Sequence, residues 1–165
     1  MLLALDLGLH CGWSLWGDGR YLASGVWHLG HDRSRDRGDE FLLRVLAKVQ
    51  AHKVRRLAYE HIASIHQHVS ADAAHLFGGW LMLLGIVAGR TRVELQRVQQ
   101  PEVYAASGVK KATPKNYPDR AVRREENKRR LVEAARRRFP TVTDDNEADA
   151  IALLYLAREM AAEGV

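Results

Sequence analysis

Three acids fall in places where acids are rare. Asp6 interrupts the apolar run Leu2-Leu3-Ala4-Leu5 before Leu7. Glu60 closes the run Leu57-Ala58-Tyr59, and Asp149 lies inside Ala148-Asp149-Ala150-Ile151-Ala152-Leu153-Leu154. A carboxylate is seldom fully buried unless it is paired or bound to a metal. Taken singly, each could be a helix cap or half of a salt bridge. Three in apolar elements, with no matching inner cations nearby, are better explained if they meet. Without a cation, their like charges would raise their pKa values and cost stability. A divalent ion removes that cost, and carboxylate oxygens suit Mg²⁺ or Mn²⁺ better than zinc. Two such ions about 3.5–4 Å apart can activate a water and stabilise the leaving oxygen of a phosphodiester.

A two-ion site needs about four ligand side chains. Asp145 and Asn146 are the candidates for the fourth, because they lie four and three residues before Asp149 and a helix brings either to its face. Glu147, two residues before, points away. Asp145 serves equally well as the cap of that helix, since the dipole stabilises an acid at a helix N-terminus. Both roles stay open. Histidine adds no zinc site: His61, His66, His68 and His75 lie in or near one expected loop without ligand spacing. Cys11 is the single cysteine, so no disulfide can form within the chain.

The elements that must position these acids are legible from periodicity. Leu2–Leu7 reads as a buried strand ended by Gly8. Gly12–Trp16 alternates, Gly17-Asp18-Gly19 is a turn signal, and Tyr21–Leu29 alternates again, which predicts a three-stranded antiparallel meander. Asp32–Asp39 reads as a polar loop. Phe41, Leu42, Val45, Leu46 and Val49 predict an amphipathic helix over Asp39–His52. Arg56–Glu60 is a second buried strand, and Ile62–Val69 reads as loop. A helix follows from an N-cap at Ser70 to about Ala88, with Gly89 as its stop. Val93–Val98 is a further strand, and Pro101–Ala106 one or two helical turns. Ser107–Pro118 is a basic loop, Arg123–Phe139 a basic helix ended by Pro140, and Asn146–Met160 an Ala/Leu-rich helix. The order β-β-β-α-β-α-β-α-α implies an α/β fold: a mixed five-stranded sheet, three antiparallel strands and then parallel ones, flanked by helices.

At 165 residues and 47% hydrophobic content, residues 1–165 read as one domain with a core of ordinary size. Met1–Asp6 lacks the basic start and apolar length of a signal peptide. The longest apolar-rich run, Leu76–Ala88, is broken by glycines and falls short of the ~20 residues that span a bilayer. The expectation is a cytoplasmic protein without a membrane partner. The formal net charge is +5, and it is segregated. Between Lys110 and Arg138, twelve Lys or Arg stand against four acids, while the rest of the chain is slightly acidic. A basic loop and helix at about 108–138 on a near-neutral body are the footprint of phosphate-backbone binding.

The motifs and their order resemble the RuvC-type Holliday-junction resolvases. Leu3-Ala4-Leu5-Asp6-Leu7-Gly8, followed by Gly12-Trp13-Ser14, is similar to their first motif, and Leu57–Ile62 to their second. Ala73–Ala88, with Leu76, Gly78 and Gly85, resembles their small-residue helix. Glu147-Ala148-Asp149-Ala150 resembles their terminal acidic motif. The resemblance spans nearly the whole chain. It implies an RNase H-like fold and a homodimer that acts on branched, four-way DNA. It also implies metal-dependent nicking with Asp6, Glu60 and Asp149 as ligands, by two Mg²⁺ or Mn²⁺ ions per site and no nucleotide cofactor. Lys110, Lys111 and Lys128 stand where the family's basic residues contact DNA. With Lys115, Arg123 and Arg124 they are the DNA-binding candidates.

Two positions depart from the family pattern. The residue three before the last Asp is Asn146 rather than an acid or histidine, which leaves the fourth ligand between Asn146 and Asp145. The base-stacking Phe three residues after the strand Glu is replaced by Ala63, so Ile65, His66 or His68 would contact the junction core instead. The Arg-rich stretch Lys115–Arg124 is longer than the family's and gives the chain a phage-like look. Rival readings are an RNase H-like nuclease of RNA–DNA hybrids or structured RNA, and a non-catalytic nucleic-acid-binding module. An actin-like ATPase shares the strand-Asp-Gly opening, but it needs a second phosphate loop and domain for which 165 residues leave no room.

Overall fold

The computed structural model describes residues 1–29, 34–61, 71–99 and 108–162. Five strands form one mixed sheet: β1 (Leu2–Asp6), β2 (His10–Gly17), β3 (Arg20–His28), β4 (Arg56–His61) and β5 (Glu94–Gln99). Their spatial order is β3-β2-β1-β4-β5. β1 pairs with β2 and β2 with β3 antiparallel, whereas β1–β4 and β4–β5 are parallel. The meander and the parallel half expected from the sequence are both present.

The centre of the sheet is buried on both faces, so β1 is apolar along its length. Alternation then sorts its side chains. Leu3 and Leu5 join Cys11, Leu15, Leu57, Phe41, Val45, Trp80 and Leu84 on one face. Leu2 and Ala4 join Ala58, Val98, Leu131, Ala148 and Ile151 on the other. Helices α1 (Ser34–His52) and α2 (Ala71–Thr91) supply the first layer. Helices α3 (Arg120–Arg136) and α4 (Asp145–Ala162) supply the second. The result is a three-layer α/β/α sandwich.

Several boundaries move from the sequence expectation. Ser34–Asp39 is helical rather than loop: α1 starts well before the buried Phe41, so the apolar periodicity marks only its later turns. Gly89 does not stop α2. The helix runs on to Thr91, and Arg92 takes the left-handed conformation (φ 60°) with its N–H on the Ala88 carbonyl at 2.8 Å. α3 begins at Arg120, capped by the Asp119 carboxylate, which accepts from the N–H groups of Ala121 and Val122. It ends at Arg136 rather than Phe139. The expected loop at 62–69, the Ser70 cap and the helical turns at 101–106 lie outside the described residues.

The expectation that no stretch reaches membrane length does not hold for α2, whose 21 residues are long and apolar enough to cross a membrane by length and composition. One side of it, Phe77, Trp80, Leu84 and Val87, is buried against α1 and the sheet. The opposite side exposes His75, Gly78, Met82, Gly85 and Gly89 at alternating spacings of three and four, a single stripe along the helix. Met82 is 65% exposed, and the space outside the three glycines is open.

Candidate active site

Strand alternation decides which acids can meet. Ala4 faces the α3/α4 layer, so Asp6, two residues on, faces it too. Ala58 faces the same layer, and Glu60 follows it by the same step. The parallel register pairs Ala4 with Ala58 and Leu5 with Tyr59, which puts Asp6 and Glu60 at neighbouring strand ends. α4 lies over these ends. Ala148, Ala150 and Ile151 are buried beneath it, and Asp145 and Asp149 share one face one turn apart.

The docking of α4 depends on two residues of β2. Gly12 is the ladder partner of Asp6, and it lies against the backbone of Asn146. Ser14 is fully buried, and its hydroxyl donates to the Ala150 carbonyl at 2.6 Å. That carbonyl is already inside a helix, so the bond ties the sheet to α4 next to Asp149. Sequence reasoning places both residues within a motif but misses this role. The available signal is a glycine and a small hydroxyl on one face of an otherwise large-residue strand.

The acids of the two strand ends and of α4 act on one another's charge. Asp6 keeps a window to solvent but is densely surrounded by protein. Burial is the largest cause that pushes its carboxyl well above the ordinary range, followed by the charges of Asp149, Glu60, Asp145 and Asp144. Asp149 is pushed up to about 7, first by burial and then by Glu60 and Asp145, against a downward pull from Lys128 and Lys111. Lys128 Nζ lies 2.8 Å from Asp145 Oδ2, and this contact holds the lysine above its usual pKa.

The start of α4 resolves the choice between Asp145 and its neighbours as cap. The cap is Asp144, not Asp145. Asp144 Oδ1 accepts from the Asn146 N–H at 2.8 Å, from the Glu147 N–H at 3.4 Å and from the Asn146 amide at 2.9 Å. Burial pushes Asp144 up, but these hydrogen bonds outweigh it and hold the carboxyl below its ordinary value. Asn146 therefore spends its amide on the cap, while Asp145 turns toward Lys128 and the buried acids. Glu147 points away as expected and accepts from the Ser24 hydroxyl on β3.

Among the described residues, no three His, Cys, Asp or Glu side chains stand close enough to hold one ion in common. The acids form a neighbourhood rather than a point. The donor set nonetheless fits a hard divalent cation in its chemistry: all donors are oxygens, and burial and mutual repulsion make Asp6 and Asp149 resist ionisation, which a bound cation would relieve. An ion would have to draw these side chains inward.

No protein-family model matches the chain, and no curated protein matches it by sequence. Solved structures do. A T. thermophilus RuvC in complex with a Holliday junction substrate superposes with a TM-score of 0.75 at 16% identity, over 99% of this chain and 97% of that one. A second Thermus thermophilus RuvC structure gives 0.70 at 19% identity, over 99% and 96%. The fold is that of RuvC. The yeast mitochondrial Holliday junction resolvase Ydc2 is more distant, with a TM-score of 0.56 at 13% identity over 98% of this chain and 79% of its own.

Within the RuvC fold the basic candidates take different positions. Lys110, Lys111 and Lys115 are exposed on the segment before α3, and Arg124 is exposed on α3. Lys111 and Lys128 are near enough to Asp149 to act on its charge. Arg123 is committed elsewhere: its Nη1 donates to the carbonyls of Tyr117 at 2.8 Å and Pro118 at 3.4 Å. Ile65, His66 and His68 lie outside the described residues.

Proposed function

We propose that this protein is a structure-selective endonuclease that hydrolyses phosphodiesters of four-way DNA junctions with the help of Mg²⁺ or Mn²⁺. The observation that carries the reading is the group Asp6, Glu60, Asp149 and Asp145, beside Lys128 and Lys111, at the strand ends of a RuvC fold. A pair of bound divalent ions would supply an activated water and neutralise the leaving oxygen. Asp6, Glu60 and Asp149 would hold them. Asp145 is the better fourth ligand, because it brings a full negative charge close enough to act on Asp6 and Asp149. Lys111 and Lys128 would face the scissile phosphate, where a cation stabilises the charge that develops. Lys110, Lys115 and Arg124 would hold backbone phosphates. The T. thermophilus RuvC complex contains a Holliday junction as that protein's substrate, and the same class of branched DNA is proposed here. Two opposed cuts need two sites, and the exposed glycine-rich stripe of α2 around Met82 suits a symmetric pair.

The test is nicking of a labelled four-way junction, with linear duplex and RNA–DNA hybrid alongside, by wild type and Asp6→Asn in Mg²⁺ and in EDTA. Paired, metal-dependent cuts in opposing strands, lost in the variant while binding survives, are expected. Preferential cutting of the hybrid would make the protein an RNase H-type enzyme instead. Binding without cutting in Mg²⁺ or Mn²⁺ would leave a binding module.

A further inference from the structure

The β2–β3 hairpin carries metal-ligating side chains apart from the carboxylates. His10 and His28 are register partners across the two strands. Their Nδ1 atoms lie 2.8 Å apart, with ring centroids 5.0 Å apart and planes at 73°. Both side chains are exposed, but the backbone beneath them is fixed. Cys11, Trp27 and Leu29 are buried in the core, and the Leu29 N–H donates to the Leu9 carbonyl at 2.9 Å.

Two imidazole nitrogens this close need one proton between them, since one must donate and the other accept. With both protons on the outward Nε2 atoms, the same two nitrogens present lone pairs that face one another across the gap. Zinc–imidazole bonds of about 2.0–2.1 Å place tetrahedral nitrogen neighbours roughly 3.3 Å apart, so the two exposed rings need to part by about half an ångström and tilt until both lone pairs aim at one ion. Asp144 is close enough to feel the charge of His28, which adds a nearby negative charge that favours a cation.

We propose that His10 and His28 form a binding site for a borderline transition-metal ion such as Zn²⁺, Ni²⁺ or Cu²⁺, with water in the remaining positions. Imidazole nitrogen selects these ions over the hard Mg²⁺ that suits carboxylates. The site is thus chemically distinct from the acids around Asp6, and it stands whether or not the protein is a nuclease.

The test is calorimetric titration of the chain with Zn²⁺ at about pH 7.5, where ordinary histidines are neutral, with millimolar Mg²⁺ present throughout. One ion should bind. His10→Gln and His28→Gln should each weaken it by roughly tenfold or more. His75→Gln and Asp6→Asn should leave it unchanged. Equal affinity in wild type and both hairpin variants overturns the proposal, as does loss of binding in Asp6→Asn with retention in His28→Gln. Electron paramagnetic resonance of the Cu²⁺-loaded wild type gives a check that needs no variant. Splitting from two equivalent nitrogens is expected, and a spectrum of oxygen ligands alone overturns the site.

Discussion

Gly12 on β2 and Asn146 at the start of α4 are in such close contact that a Cβ added to Gly12 would fall 1.8 Å from the Asn146 carbonyl oxygen and 3.2 Å from the Ala150 Cβ. Backbone, not a flexible side-chain tip, blocks that space. Because Gly12 is also the ladder partner of Asp6, its missing side chain sets the distance between Asp6 and the acids of α4. Gly12→Ala should push α4 off the sheet, cost about 3 kcal/mol or more in overpacking, and abolish nicking. Denaturant unfolding and the junction assay measure the two effects. Wild-type stability in the variant would mean that α4 is not seated as described.

The raised carboxyls of Asp6 and Asp149 make a prediction about pH. The folded pKa of Asp149 exceeds the unfolded one, so between about 4 and about 7 the folded state keeps a proton that the unfolded chain has lost, and Asp6 is shifted in the same direction. The contribution of Asp149 to stability is therefore lost as pH rises through that window. Asp149→Asn should unfold at the same temperature as wild type near pH 4 and several degrees higher at pH 8 in EDTA. Added Mg²⁺ should raise the wild type and not the variant at pH 8, which closes the gap. A constant difference across pH would show that Asp149 is not strained by its neighbours.

These effects are only partly legible in the sequence. Asp6, Glu60 and Asp149 stand out because each breaks an apolar pattern, and strand period alone carries Asp6 and Glu60 to one face. The roles at the head of α4 do not follow from pattern. Asp144, Asp145 and Asn146 are all good residues for a helix start. Which one caps depends on where the backbone leaves the helix, a difference of one residue that tertiary packing on Gly12 decides. The stop of α2 departs from pattern for a similar reason: Gly89 is the better left-handed residue by propensity, yet Arg92 takes that conformation once Val93 must enter the core.

Lys128 and Asp145 form a pair at 2.8 Å that competes with a cation for the same carboxylate. Lys128→Met should free Asp145 and deepen the negative field at Asp149. Mn²⁺ affinity without DNA should rise, on the order of two- to tenfold for one unit charge at this range. Junction affinity and nicking should fall, because the phosphate loses its partner. Calorimetry with Mn²⁺ and junction binding give both numbers. Weaker Mn²⁺ binding in the variant would rule out the competition.

Arg123 and Arg124 are adjacent, yet they should behave differently. Arg124 is exposed, so Arg124→Ala should flatten the salt dependence of DNA binding by about 0.9 in log–log slope and leave stability unchanged. Arg123→Ala removes the donor to the Tyr117 and Pro118 carbonyls, and should cost about 1 kcal/mol of stability with a smaller change in slope. Titration at several salt concentrations and thermal unfolding separate the two. Equal slopes for both variants would place Arg123 on the DNA as well.

The exposed stripe of α2 carries the dimer prediction. Met82 is 65% exposed at its middle, with Gly78 and Gly85 one turn away on either side and open space over both. Small residues let a second helix approach closely, and a Met between them is apolar and adaptable. If two copies pair through this face, Met82→Glu brings two carboxylates together near the axis without disturbing the buried side of α2. Light scattering should then find a wild-type dimer and a monomeric Met82→Glu, with paired cuts in the junction replaced by single nicks. A wild-type monomer, with and without junction DNA, removes the dimer altogether. A dimeric Met82→Glu places the interface elsewhere on the chain.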